Sequence, residues 1–327
     1  MSVTINRSAN VTINRGGNVR IISEYLPSNV LNLTFNVLNN ILNWFIQGST
    51  TFNMTIDWGD GIIDTYSGAN GYNPVHVYLI NGNYNATITF ADPTVITYLD
   101  ISTGYGNNRL TSIGGNIGVL TSLISLMLGG NLLTSFNSTL PSTLQTLDLS
   151  NNLLTSFNTT QLPNSLTDLY LNNNALTSFA PAAALPTSLT NLYLNNNAIT
   201  SFNPSLALPL YLNTLNLSNN SITTFATTQT LPSTLETLNV SYNTLTSFAP
   251  SGFFPTAMRY LYLNNNNMSS ANISTTLQFM SSSASWSPPT PNSIDIYNQA
   301  VGACIASSNT YYVALTNAGW TVTVDIC

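Results

Sequence analysis

The chain has 327 residues, of which 43% are hydrophobic and only 5% charged, and its formal net charge is −6; an ordinary soluble domain carries about 25% charge. Five arginines and no lysine leave too few cations for a phosphate-binding surface, which excludes nucleic acid as a partner and, by the same deficit, docking on anionic membranes. No apolar run approaches the roughly 18 residues of a membrane-crossing helix, so the expectation is no membrane insertion and a large core kept in water by neutral Asn, Ser and Thr.

Residues 3–7 read VTINR, residues 11–15 repeat it, and Val19-Arg20-Ile21 continues the alternation. Arg7, Arg15 and Arg20 stand here against one acid, Glu24. Residues 1–25 read as an extended β-rich arm, suited to attachment to a protein partner in a larger assembly; a simple edge hairpin accounts for the same pattern. The first 20 residues contain no apolar stretch of the kind a secretory leader needs, so no signal peptide is read.

Residues 26–92 contain Asp57-Trp58-Gly59-Asp60-Gly61, then His76-Val77-Tyr78, Gly82, Tyr84 and Thr87-Ile88-Thr89. This series resembles the signature of PKD-like β-sandwich domains, common in extracellular and surface proteins. The resemblance implies a small antiparallel β-sandwich in which these residues are structural: a tight turn, a buried Trp and a Tyr packed beneath it. His76, the sole histidine, falls in the H-x-Y position of that signature. Asp57, Asp60 and Asp64 lie in one strand–turn unit and offer oxygens of the kind calcium takes. Their spacing is not that of an EF-hand loop, and PKD-like turns carry such acids without metal; both readings stand.

From residue 93 to 271 one frame recurs. Asn108, Asn131, Asn152, Asn174, Asn197, Asn220, Asn243 and Asn266 are spaced 21 to 23 residues apart. Around each the same apolar skeleton returns: Leu144, Leu147, Leu149, Asn152, Leu154, Phe157, then Leu166, Leu169, Leu171, Asn174, Leu176, Phe179. The pattern L-x-x-L-x-L-x-x-N-x-L, followed by T-S-F and a Leu-Pro, resembles bacterial-type leucine-rich repeats in about eight copies. In the first copy, residues 104–107 look like an insertion.

Leu147 and Leu149 are two apart, the strand period that sends both to one face. Asn152 ends the strand, where its amide can bond neighbouring turn backbone, and stacked copies would place such amides about 4.8 Å apart. The phenylalanines form a second internal column, and the prolines from Pro141 to Pro255 keep the return side extended. The expected fold is therefore mostly β: a leucine-rich-repeat solenoid with a parallel β-sheet on its concave face, preceded by the small antiparallel β-sandwich.

The resemblance implies that the strand residues between the leucines face outward on that concave sheet. One column runs through Asp100, Met127, Asp148, Tyr170, Tyr193, Asn216, Asn239 and Tyr262; the other through Tyr98, Ser125, Thr146, Asp168, Asn191, Thr214, Thr237 and Tyr260. Tyrosines beside Asn, Thr and Asp suit a host protein or a glycan. Sheet formation and solubility alone account for the same residues. Tyr98, Asp100, Asp148, Asp168, Tyr170, Tyr193, Tyr260 and Tyr262 are the candidate binding residues.

Residues 272–327 read as the C-terminal cap a solenoid needs, with a short helix at 275–280, a break at Pro288-Pro289, a strand through Ile294 and Ile296, a helix over 306–318 and a strand over 320–326. Cys304 and Cys327 are either free buried thiols or a disulfide that staples this cap; a bridge would mean an oxidising setting.

Catalysis needs titratable groups within reach of one another. With one His, no Lys, no phosphate or dinucleotide fingerprint and no cofactor motif, the reading is a non-enzymatic protein without cofactors. Two settings remain. The leaderless N-terminus and repetitive arm favour a structural component of an extracellular assembly, a virion surface protein used for capsid decoration or as a fibre. The PKD-like and repeat layout favours a cell-surface or secreted adhesin that binds protein or glycan on its concave face.

Overall fold

The computed structural model describes residues 9–13, 19–24, 29–37, 41–68, 71–102, 109–181, 184–202, 207–225, 230–252, 254–282 and 292–327. Strands β1 (Ala9–Ile13) and β2 (Val19–Glu24) pair antiparallel with each other. Arg7 and Arg15 of the expected arm lie outside the described residues, as do the insertion at 104–107, Asn108 and Pro288-Pro289.

Seven strands come next: β3 (Val30–Val37), β4 (Ile41–Asn43), β5 (Phe45–Gly48), β6 (Phe52–Asp57), β7 (Ile63–Gly68), β8 (Val75–Val77) and β9 (Gly82–Phe90). Two more, β10 (Ile96–Asp100) and β11 (Arg109–Gly115), complete the N-terminal part. A five-stranded antiparallel sheet runs in the order β11-β3-β9-β6-β7, and β4 pairs with β8. Alternation in β3 sends Leu31, Leu33, Phe35 and Val37 inward. Between the layers the rings of Phe35, Trp44, Trp58 and His76 succeed one another at centroid distances of 5.8, 5.1 and 4.7 Å.

The N-terminal part interlocks with the solenoid. β5 pairs antiparallel with β10, the first strand of the long sheet, whereas β11 comes after β10 in the chain yet returns to pair with β3. One continuous hydrophobic core runs from Leu31 to Trp320. The arrangement covers an edge and an open core end that a first solenoid coil cannot cover by itself.

The long sheet continues through β12 (Ser125–Met127), β13 (Thr146–Asp148), β14 (Asp168–Tyr170), β15 (Asn191–Tyr193) and β16 (Thr214–Asn216). On the return side β17 (Thr224–Phe225) pairs with β19 (Ser247–Phe248), while β18 (Thr237–Asn239) and β20 (Tyr260–Tyr262) extend the main sheet. All main-sheet pairs from β10 onward are parallel and in one register, so Leu99, Leu126, Leu147, Leu169, Leu192, Leu215, Leu238 and Leu261 form one buried line.

Each strand ends on a repeated device. The Asn243 Nδ2 donates to Leu217 O of the preceding coil and Val240 O of its own, at 3.0 and 3.1 Å, while its Oδ1 accepts from Ile222 N at 2.9 Å. Asn131, Asn152, Asn174, Asn197, Asn220 and Asn266 make the same set. The residue just before each is in the left-handed region: Gly130, Asn151, Asn173, Asn196, Asn219, Tyr242 and Asn265. Asparagine tolerates that conformation better than other side-chain-bearing residues.

The prolines also take part in the turns that lead into the strands. The carbonyls of Pro141, Pro163, Pro186, Pro209, Pro232 and Pro255 each accept from the amide three residues on, at 3.0 to 3.2 Å. They therefore stand at the first position of a tight turn just before each strand. The phenylalanine column is built: Phe202, Phe225 and Phe248 stack at 5.8 and 5.1 Å, although Phe157 is only partly buried.

Helix α1 (Ser270–Ser281), N-capped by Ser269, closes the end of that column with Ile273, Leu277 and Met280 buried. It contains the shorter helix expected at 275–280. β21 (Ser293–Ile296) and β22 (Thr321–Val324) extend the parallel sheet, with α2 (Thr310–Asn317) between them inside the stretch expected to be helical. Cys304 and Cys327 are bonded, with their Cα atoms 5.3 Å apart.

Candidate functional site

The parallel register places the two outward columns side by side. Tyr98, Ser125, Thr146, Asp168, Asn191, Thr214, Thr237 and Tyr260 lie in one line; Asp100, Met127, Asp148, Tyr170, Tyr193, Asn216, Asn239 and Tyr262 lie in the other. Ser293 and Asp295 of β21, then Thr321 and Thr323 of β22, lengthen both lines. The repeat frame did not reveal these positions, because an Ile replaces the strand leucine at 294 and the helix α1 intervenes.

The acids of this face are largely occupied. Asp100 is buried, and its carboxylate accepts from Ser102 N at 2.9 Å and from the Tyr98 hydroxyl at 3.2 Å. Asp148 Oδ1 accepts from Ser150 N at 2.8 Å, a local turn that Asn216 and Asn239 repeat with Ser218 and Ser241. Asp168 accepts from Thr167 Oγ1 and Asn191 Nδ2, both at 2.7 Å. These residues shape the strand exits and tie neighbouring rungs together.

The tyrosines are differently placed. Tyr170 and Tyr193 stack at 4.9 Å with an interplanar angle of 4°, and Tyr260 and Tyr262 at 6.3 Å and 2°. All four are half-buried. Three strand steps separate β15 from β20, so the two aromatic plates stand about 14 Å apart, with Asn and Thr between them. Tyr98 stands apart from both plates, edge-on to Phe45 at 5.7 Å. The Tyr170 phenol is held above its ordinary value by burial first, then by Asp168, Tyr193 and Asp148. Burial likewise raises Tyr262, against the opposing hydrogen bond with Ser293, with Asp295 and Tyr260 adding to the rise. Both phenols therefore stay protonated and neutral at ordinary pH, and flat apolar faces with a neutral polar tip are what the sheet presents.

The N-terminal residues with chemical potential are engaged in structure. Asp57 caps Gly59 N at 2.9 Å, Asp64 accepts from Trp58 Nε1 at 2.7 Å, and Asp60 accepts from Ile62 N at 3.1 Å and meets His76 Nε2 at 2.7 Å. Their carboxylates are directed to separate partners, and among the described residues no group of three His, Cys, Asp or Glu could hold a metal ion. Trp58 is buried, with Tyr78 beneath it donating to its carbonyl at 2.9 Å.

The chain contains leucine-rich repeats. Models of the leucine-rich repeat match residues 143–169 and 211–268, both within the repeats; neither match reaches the PKD-like segment. Among solved structures, the chain is similar to the leucine-rich-repeat domain of a Shigella effector, at 24% identity and a TM-score of 0.43 over 61% of this chain and 80% of that one. It is also similar to a leucine-rich-repeat protein of Leptospira interrogans, at 22% and 0.39 over 64% and 57%. A third likeness is to the functional domain of InlJ from Listeria monocytogenes, which includes a cysteine ladder, at 19% and 0.41 over 72% and 55%. The matched part thus spans little more than half of the latter two. No curated protein matches the chain. Among the described residues no helix is long and apolar enough to cross a membrane.

Proposed function

We propose that the chain is a non-enzymatic protein-recognition module whose concave sheet is the binding face. The observation that supports this most is the pair of aromatic plates, Tyr170–Tyr193 and Tyr260–Tyr262, on a rigid parallel sheet. Tyrosine supplies large contact area at low entropic cost, and interface anchors of this kind cluster on preorganised surfaces. The intervening Asn216, Asn239, Thr214 and Thr237 supply neutral hydrogen-bonding groups, matching a partner that is itself polar and uncharged.

The setting we infer is an extracellular assembly, a virion surface, with residues 1–25 as the attachment segment and the repeat array on display. The bonded Cys304–Cys327 pair agrees with an oxidising environment, and the near absence of charge suits a surface that relies on neutral polar groups. The PKD-like resemblance of residues 26–92, and the adhesin reading that goes with it, use the same concave face and differ in the partner.

The test is photo-cross-linking in the native source, with a benzophenone residue placed at Tyr193 or at exposed Ser178, followed by mass spectrometry. A partner linked from position 193 and not from 178 supports the reading; fixed stoichiometry with a capsid protein separates the virion setting from a free adhesin. Links from 178 alone would remove the concave face from the account.

A further inference from the structure

The repeats provide their own control, because a position that departs from its equivalents in every other coil stands out. One such position precedes the strands. Counting from the turn prolines, the second residue on is Thr143, Ser165, Ser188, Tyr211, Thr234 and Ala257. Where this residue is Thr or Ser, its hydroxyl ties the coil to the one before. Thr143 donates to Thr121 O and Leu123 O, Ser165 to Leu144 O, Ser188 to Leu166 O and Thr234 to Leu212 O, at 2.6 to 2.9 Å. At Tyr211 a ring replaces this short hydroxyl, and among the described residues it makes no counterpart of the bond. Ala257 lacks the hydroxyl as well but adds no ring.

The substitution also exposes apolar surface. Tyr211 is 58% exposed and its neighbour Leu210, at the column otherwise filled by Ser142, Asn164, Thr187, Ser233 and Thr256, is 61% exposed. Two large side chains on the surface, at the cost of an internal hydrogen bond, bring no stability to the coil that holds them. Around the ring lies an open groove lined by Ser188, Thr190, Asn213, Thr234 and Glu236. Glu236 is held by Arg259, whose Nε is 3.4 Å from its Oε2, and the Ser188, Thr190 and Thr234 hydroxyls donate to the preceding coil, so the groove offers hydroxyl oxygens as acceptors, an amide and a balanced carboxylate next to one flat aromatic face.

We infer that Tyr211 is the platform of a saccharide-binding site on the flank of the solenoid, which takes a neutral pyranose ring. The C–H face of a pyranose is apolar and flat and stacks on a phenol ring, while its ring of hydroxyls needs neutral donors and acceptors at the rim. Asn213 and Glu236 are the rim groups on the strand side, and Thr190 and Thr234 stand in the adjacent coils. Arg259 already balances the Glu236 carboxylate, so no unbalanced charge selects an ionic ligand, and a purely apolar one would cover the Asn213 Nδ2 without offering it an acceptor. This site lies outside the two concave columns and does not depend on them. An open groove that covers one face of its ligand binds weakly, on the order of millimolar.

Saturation-transfer NMR on the full chain tests this with the methyl glycosides of glucose, galactose, mannose and N-acetylglucosamine. At least one is expected to receive saturation on its ring C–H protons. Tyr211→Thr, which restores the repeat's own residue and its carbonyl bond, should weaken that binding at least tenfold with a melting temperature equal to or above the parent's. The double variant Tyr170→Ala, Tyr193→Ala should keep it. No transfer to any of the four glycosides, undiminished transfer in Tyr211→Thr, or loss of transfer in the concave double variant would each overturn the inference.

Discussion

Gln299 is to Asn266 what each ladder asparagine is to the one before it. Its Nε2 donates to Leu263 O at 2.8 Å and its Oε1 accepts from Met268 N at 3.3 Å, the same carbonyl and amide positions that Asn266 uses one coil earlier at Val240 and Leu245. The amide line thus runs on into the C-terminal coil, with the longer side chain bridging a coil that α1 has lengthened.

The amide line predicts a large cost for a small deletion. Asn243 is buried and bonded on both sides, so Asn243→Ala strands the Ile222 amide and takes one of two donors from each of Leu217 O and Val240 O, which keep the Asn220 and Asn266 amides. Each such loss costs about 1–3 kcal/mol, and urea unfolding should show a drop of about 3 kcal/mol. Gln299→Ala, at a half-exposed end of the line, should cost less than half of that.

Tyr242 predicts the opposite sign. It stands at φ 53°, where the equivalent coils use Asn or Gly, and its ring is exposed. A bulky residue in the left-handed region costs about 1 kcal/mol relative to residues suited to it, so Tyr242→Asn should raise stability by about 0.5–1 kcal/mol. Differential scanning calorimetry checks this; a fall would mean that the ring packs on something.

The leucine line behaves as a core. Leu192 is fully buried in the middle of the array, and Leu192→Ala should lower the unfolding free energy by about 2–5 kcal/mol. The Cys304–Cys327 bond, closing a loop with a sequence separation of 23, holds the last strand onto the sheet. Its reduction should cost about 3 kcal/mol, and hydrogen exchange should rise first in residues 321–324.

Asp60 sets an acid limit on the N-terminal part. Its carboxyl sits below the ordinary 3.8: burial pushes it up but is outweighed by the bonds from His76 and the Ile62 amide. A depressed carboxylate contributes stability above its unfolded value and loses it as pH falls through the folded one. The contribution should therefore be complete above about pH 4 and decline below it. Asp60→Asn should flatten that limb of the stability–pH curve.

The sequence shows the repeat frame because the physics there is periodic. Leu147 and Leu149 recur with every coil, and Asn152 recurs because a strand end needs the same amide each time. The concave columns come from alternation alone. Non-periodic features stayed hidden. Nothing in Phe45–Gly48 marks it as the strand that runs antiparallel along Tyr98, and nothing in Arg109–Gly115 says that it leaves the solenoid to join Val30–Val37; both are pairings across long sequence separations. The last two rungs were legible as strands, yet their place in the parallel sheet was not, since Ile294 and Gln299 stand where Leu and Asn would have signalled a coil. The candidate acids could be named from their positions, but that Asp100 is buried and Asp168 tied to Asn191 depends on side-chain geometry. Stacking of Tyr170 on Tyr193 needed the register.

The affinity of the concave face for the partner cross-linked from position 193 tests the account most directly. Equilibrium binding of that partner should fall at least tenfold in the Tyr170→Ala, Tyr193→Ala double variant and stay within twofold in Ser156→Ala, Ser178→Ala, whose side chains are exposed and lie off the sheet. Equal affinity in both double variants would contradict it.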